Sequence, residues 1–180
     1  MSVLYLDTET NGIGSFRPAS QRLVQIAWVF HVPKTHYIND VSEISTTVPH
    51  DITVEQCRNE GNSFDLAFTD FYKDFTNASL IVAHNLDFDI GIIKNEMKIR
   101  NSNMYNTFKT HLKSKKFQCT MQDGVDICKI KYSEKSRNYK FPKLSELYQH
   151  YFETLPNIKQ HDALNDCYIL KMCHQKMTST

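Results

Sequence analysis

The chain has little of what breaks a fold or extends it: five glycines and five prolines in 180 residues, too few for collagen, a low-complexity linker or a disordered tail. It also lacks a long apolar run, and its first residues, MSVLYLDTET, are not a basic segment followed by an apolar one. Neither a membrane span nor a secretory signal is therefore expected, and the sequence predicts a soluble, intracellular protein of the cytoplasm or nucleus. A cysteine framework is missing too. Cys57, Cys119, Cys128, Cys167 and Cys173 are odd in number and contain no CxxC pair, so they read as free thiols in a reducing compartment. The spacing of Cys167, Cys173 and His174 matches no common zinc finger or ribbon.

An excess of either charge is absent as well: 21 Lys and Arg face 20 Asp and Glu. The balance conceals a segregation. Residues 1–90 carry twelve acidic and five basic side chains, whereas residues 109–143 carry ten basic and three acidic. A solvated surface loop accounts for a lysine run; so does a basic rim that steers nucleic acid towards an acidic, cation-loaded centre. Phe117, Tyr132, Tyr139 and Phe141 interleave the basic segment from Lys109 to Lys143, as in a track that neutralises phosphates and stacks bases of a single strand.

What is present is enough apolar sequence for one domain, residues 1–180, which at this length buries roughly two-thirds of its unfolded surface. Val3 to Leu6 and Leu80 to Ala83 read as buried strands, Leu23 to Val32 and Tyr37 to Val48 as a hairpin, and Phe117 to Met121 as a fifth strand. Helical spacing marks Thr53 to Asn59, Phe64 to Phe75, Ile90 to Met97, Leu144 to Tyr151 and Ala163 to Met177. Residues 101–116 and 131–142, rich in Asn, Ser and Lys, read as loops. This order predicts an α/β domain with a mixed sheet covered by helices.

Three acidic constellations stand out. Asp7 and Glu9, two apart at the end of the first strand, point to one face of the sheet. Carboxylates that close repel each other unless a cation or donor intervenes. In the second constellation, IVAHNLDFDIGII from Ile81, Asp87 suits a helix start, where acids complement the dipole; Asp89, next to Ile90, does not read as a cap. In the third, HDALND from His161, Asp166 falls on the buried flank of the last helix and must be paired or metal-bound. His161 precedes that helix, and an imidazole's ordinary pKa near 6.5 suits proton transfer.

DTET at Asp7 to Thr10, HNLDFDIG at His84 to Gly91 and HDALND at His161 to Asp166 resemble, in order, the three motifs of the DEDDh (DnaQ-like) 3′–5′ exonucleases, typified by the proofreading subunit of bacterial replicative polymerases. KFPKLSELYQHY, Lys140 to Tyr151, is similar to the family's helix before the third motif. The resemblance implies a ribonuclease H-like fold with a central five-stranded sheet flanked by helices. It implies Asp7, Glu9, Asp89 and Asp166 as ligands of two Mg²⁺ or Mn²⁺ ions, with Asp7 bridging, and His161 as the base that takes a proton from the attacking water. Thr10, Ile13 and Asn85 are implied to touch substrate. The implied reaction releases nucleoside 5′-monophosphates from the 3′ end of single-stranded or frayed DNA, with a DNA polymerase subunit as a possible partner. An exoribonuclease of the same superfamily is the nearest alternative, and an inactive binding or docking module is a further one.

Overall fold

The computed structural model describes residues 2–12 and 21–179. Its sheet has five strands: β1 (Val3–Thr10), β2 (Leu23–Val29), β3 (Pro33–Tyr37), β4 (Leu80–Ala83) and β5 (Lys116–Cys119), in the order β3-β2-β1-β4-β5. β1 pairs antiparallel with β2, and β2 with β3; β1, β4 and β5 run parallel. The mixed sheet flanked by helices is the one expected from the sequence. Every residue of β2 is buried, because both sheet faces are covered.

Among the described residues seven helices cover it: α1 (Val54–Glu60), α2 (Phe64–Asn77), α3 (Leu86–Ile99), α4 (Tyr105–Leu112), α5 (Thr120–Cys128), α6 (Leu144–Phe152) and α7 (Ala163–Thr178). Thr53 and Ser63 cap α1 and α2, each accepting the backbone N–H of the third residue of its helix. Side-chain alternation splits the core. Leu4, Leu6, Ile26, Trp28 and Ile81 face α2, α3 and α4, where Phe68, Phe75 and Phe108 pack ring to ring. Tyr5, Ala27, Val29 and Val82 face α7 and bury Ala163, Cys167 and Leu170. No described helix is long and apolar enough to cross a membrane.

Three sequence expectations are corrected. The strand placed at Tyr37 to Val48 lies earlier, at Pro33–Tyr37, and beyond Tyr37 only Ile38 makes an isolated bridge, to Asn62. Polar alternation in residues 39–48 imitates a strand, yet that segment leaves the sheet edge. Residues 101–116 are not all loop, since Phe108 anchors α4 in the aromatic core. The expected strand Phe117 to Met121 ends at Cys119, and α5 begins at Thr120. In α5, Gly124 is needed for close packing: a Cβ there would stand 2.8 Å from Pro142 Cγ.

β1 outruns its parallel neighbour. β4 ends at Ala83, opposite Leu6, so Asp7 to Thr10 continue with a strand partner on the β2 side alone. Next to β1 the sheet changes from antiparallel to parallel pairing, and the chain from β4 turns into α3. Open α/β sheets have a crevice at such a reversal, outside the carboxyl ends of the strands.

Candidate active site

The crevice gathers the acids from three elements. Asp7 and Glu9 project from β1 on the α7 face, opposite Ala27 and Gln25 of β2. Thr8, between them, points to the other face and donates from Oγ1 to Asp89 Oδ1 at 2.7 Å. Asp89 lies in the first turn of α3 and is 2% exposed. Asp87 of the same turn is exposed, and neither acid is the helix cap; that position is Asn85, left-handed at φ 91° and without a side-chain capping bond. Asp166, in the first turn of α7, accepts the backbone N–H of His161 at 3.1 Å. His161 itself is left-handed at φ 60°, which bends the chain back on the helix it precedes.

Ligand atoms of Glu9, His161 and Asp166 lie within 4.8 Å of one another. Burial drives the Asp7 carboxyl well above the usual range, and the charges of Asp89, Asp166, Glu9 and Asp162 add to it. Burial, then Asp166, Asp89 and Asp162, push Glu9 to about 8. Asp89 rises to about 8 through burial, against the Thr8 hydrogen bond, and Asp166 to about 6. The four acids named from the sequence thus occupy one electrostatic neighbourhood. Such a cluster holds protons, or cations in their place. Burial, followed by the charges of Lys143 and His50, lowers the pKa of His161.

Several supporting residues escaped the sequence reading. Gln25 is fully buried; its Nε2 donates to Thr35 Oγ1 at 3.1 Å and Asp162 Oδ2 at 3.2 Å, and its Oε1 accepts the Ala163 N–H at 3.0 Å. It fastens the start of α7 to the sheet beside Glu9. The signal was a polar side chain inside the otherwise apolar run of β2. His84 Nε2 donates to Pro142 O at 2.9 Å and Nδ1 accepts from Thr120 Oγ1 at 3.0 Å; burial lowers its pKa to about 4, so the ring is neutral. His50 Nε2 donates to Thr10 O at 2.9 Å, and no spacing in the sequence announces it.

Thr10 is buried, with its hydroxyl donating to Gly12 O at 3.1 Å. It forms part of a cavity of about 200 Å³ beside Glu9, walled also by Gly12, Val48, His50 and Phe88. Ile13 lies outside the described residues. Asn85 is half-buried at the turn between β4 and α3. The five cysteines are free, and none joins the metal-capable group found among the described residues.

The chain is similar in structure to E. coli exonuclease I. Against that enzyme in complex with a 5cy-dA13 oligonucleotide the TM-score is 0.70 at 19% identity, covering 99% of this chain and 40% of the other. The zinc ion bound form of the E. coli ExoI–ssDNA complex gives 0.69 at 19%, covering 99% and 40%. The complex with a dT13 oligonucleotide gives 0.66 at 18%, covering 99% and 41%. The chain therefore spans about two-fifths of the length of these proteins, and the shared fold is the ribonuclease H-like one expected from the sequence. No curated protein matches it in sequence. The model of the 3′–5′ exonuclease family, however, matches residues 1–178. With the acids drawn into one crevice of this fold, that match closes the question of kinship: the chain belongs to the 3′–5′ exonuclease family.

Proposed function

We propose that this chain hydrolyses the terminal phosphodiester at the 3′ end of single-stranded or frayed DNA, releasing nucleoside 5′-monophosphates with two Mg²⁺ or Mn²⁺ ions. One observation carries the reading: Asp7, Glu9, Asp89 and Asp166 crowd into a single crevice with His161 beside Glu9 and Asp166. A phosphodiester is an anion, which bare carboxylates would repel. The donor set fits hard divalent cations, being all oxygen on the acids and buried enough to be protonated without a cation. Asp7, Glu9, Asp89 and Asp166 would hold them. When bound, the ions supply Lewis acidity, neutralising the phosphate, acidifying water and stabilising the departing 3′ oxygen.

The protein's own groups do the rest. His161 accepts the proton of the attacking water, and its lowered pKa keeps it in the neutral form this requires at pH 7. Asp166 holds the backbone of His161, and Gln25 holds the helix that carries Asp166. Thr8 orients the Asp89 carboxylate. Thr10, with Ile13 and Asn85, receives the terminal nucleotide, and the cavity beside Glu9 admits its nucleoside. Digestion of matched DNA and RNA oligomers, with free or blocked 3′ ends, tests the reading. Mononucleotides should appear from free-ended DNA with Mg²⁺ and not with chelator; endonucleolytic fragments, or release in chelator, would overturn it.

A further inference from the structure

The basic segment that is continuous in sequence is divided in space. Lys113 ends α4 just before β5, and Lys116 opens β5, where it pairs with Leu80 at the end of the sheet remote from the acids. Lys115 is spent there on structure, its Nζ donating to Thr76 O and Ala78 O at 2.7 Å each. The other half begins after α5. Lys129, Lys131, Lys135 and Arg137 are exposed and, among the described residues, form no ion pair, while Arg22, Lys34 and Arg100 elsewhere all do. From the same loop project Tyr132, 66% exposed, Tyr139, 36%, and Phe141, 52%. Large aromatic rings left in water beside unpaired cations are the two components of a single-strand platform.

The loop is pinned at the crevice. Lys131 bridges Tyr139, Lys140 N donates to Ile130 O at 2.7 Å, and Lys140 Nζ pairs with Glu146. Two residues on, Pro142 O accepts from His84 at the end of β4 and the Pro142 ring packs on Gly124. Tyr139 is three residues from Pro142, at most about 11 Å of chain.

We infer that residues 129–141 form an aromatic and basic track for the single strand leading into the crevice, and that residues 109–116 take no part in it. The inference rests on the exonuclease reading. The cations neutralise phosphates upstream of the scissile bond, and Tyr132, Tyr139 and Phe141 offer faces on which bases stack. Bases in a duplex are already stacked, so the track favours single strands.

The test compares kcat/KM on long oligo(dT) with kcat/KM on thymidine 5′-(p-nitrophenyl) phosphate, which has a single nucleotide and no upstream phosphates or bases for the track to hold. In Tyr132→Ala/Phe141→Ala, the ratio of oligomer to ester should fall about 5- to 150-fold for each stacking face lost. In Lys131→Glu/Arg137→Glu the ratio should also fall, and the salt dependence of oligomer binding should flatten. Lys113→Glu/Lys116→Glu, with the same charge change at the far end, should keep the wild-type ratio. Unchanged ratios in both loop variants, as when the loop serves an acidic protein partner instead, would overturn the inference, as would an equal fall in the far-end variant. Failure of the wild type to cleave either substrate with Mn²⁺ would instead overturn the exonuclease reading.

Discussion

Glu9 and Gln25 stand opposite each other across the β1–β2 ladder, the one in the acidic crevice and the other holding the N-terminus of α7. A single cross-strand pair thereby fixes the distance between the first acidic motif and the last. Its consequence is measurable. Gln25→Leu leaves the Ala163 N–H buried without its acceptor, costing about 1–3 kcal/mol in thermal or denaturant unfolding. Because Asp166 and His161 lose their registration, kcat should fall more than KM rises. Wild-type kcat with lowered stability would show that Gln25 serves the fold alone.

Asp89 and Asp87 offer a direct comparison, since they differ in burial within one helical turn. Asp89→Asn should lower activity by about 10²-fold or more, as loss of an outer-shell partner already costs 10–100-fold at metal sites. Asp87→Asn should leave it near wild type. Selective loss in the second would move the middle acid to position 87.

Asp7→Ala should leave less activity than His161→Ala in metal-saturated assays. General base catalysis supplies about 10²–10⁴-fold, while loss of the central acid removes the charge that gathers the cations. Equal residual rates would reverse that ranking.

Protons and cations compete for the crevice. Glu9 and Asp89, both pushed to about 8, hold protons in the metal-free fold that the unfolded chain releases near its ordinary carboxylate pKa. That contribution is full at acid pH and lost as pH rises through about 8. The rise in Tm given by Mg²⁺ over chelator should therefore grow as pH passes from 6 to 9. A pH-independent increment would exclude these groups as ligands.

His84 gives the opposite dependence on the acid side. With its pKa at about 4 when folded and near 6.5 when unfolded, its contribution is complete above pH 6.5 and lost as pH falls towards 4, amounting to about 3 kcal/mol. In His84→Gln the slope of unfolding free energy against pH should be shallower between those limits.

The sequence made the acids legible because each sits at a boundary of an apolar run: Asp7 after Val3–Leu6, Asp89 before Ile90, Asp166 among Ala163, Cys167 and Leu170. An acid in such a position cannot be solvated casually. The strand after Pro33 was misplaced because an edge strand with one exposed side carries the same polar alternation as the segment that follows it. Helix α4 was missed because one buried aromatic, Phe108, suffices to seat it. Gln25, His84 and His50 were illegible as supports, since each acts on a backbone group whose neighbour in space is remote in sequence.

The overhang of β1 beyond β4 has a consequence for the nascent chain. The side of the crevice that α7 supplies is built from residues translated about 150 positions after the acids of β1. On the proposed reading, cation capture would wait until α7 docks and brings Asp166 beside Glu9. A product truncated before position 161 would, on the same reading, lack both His161 and Asp166 and so could not assemble the group they form with Glu9.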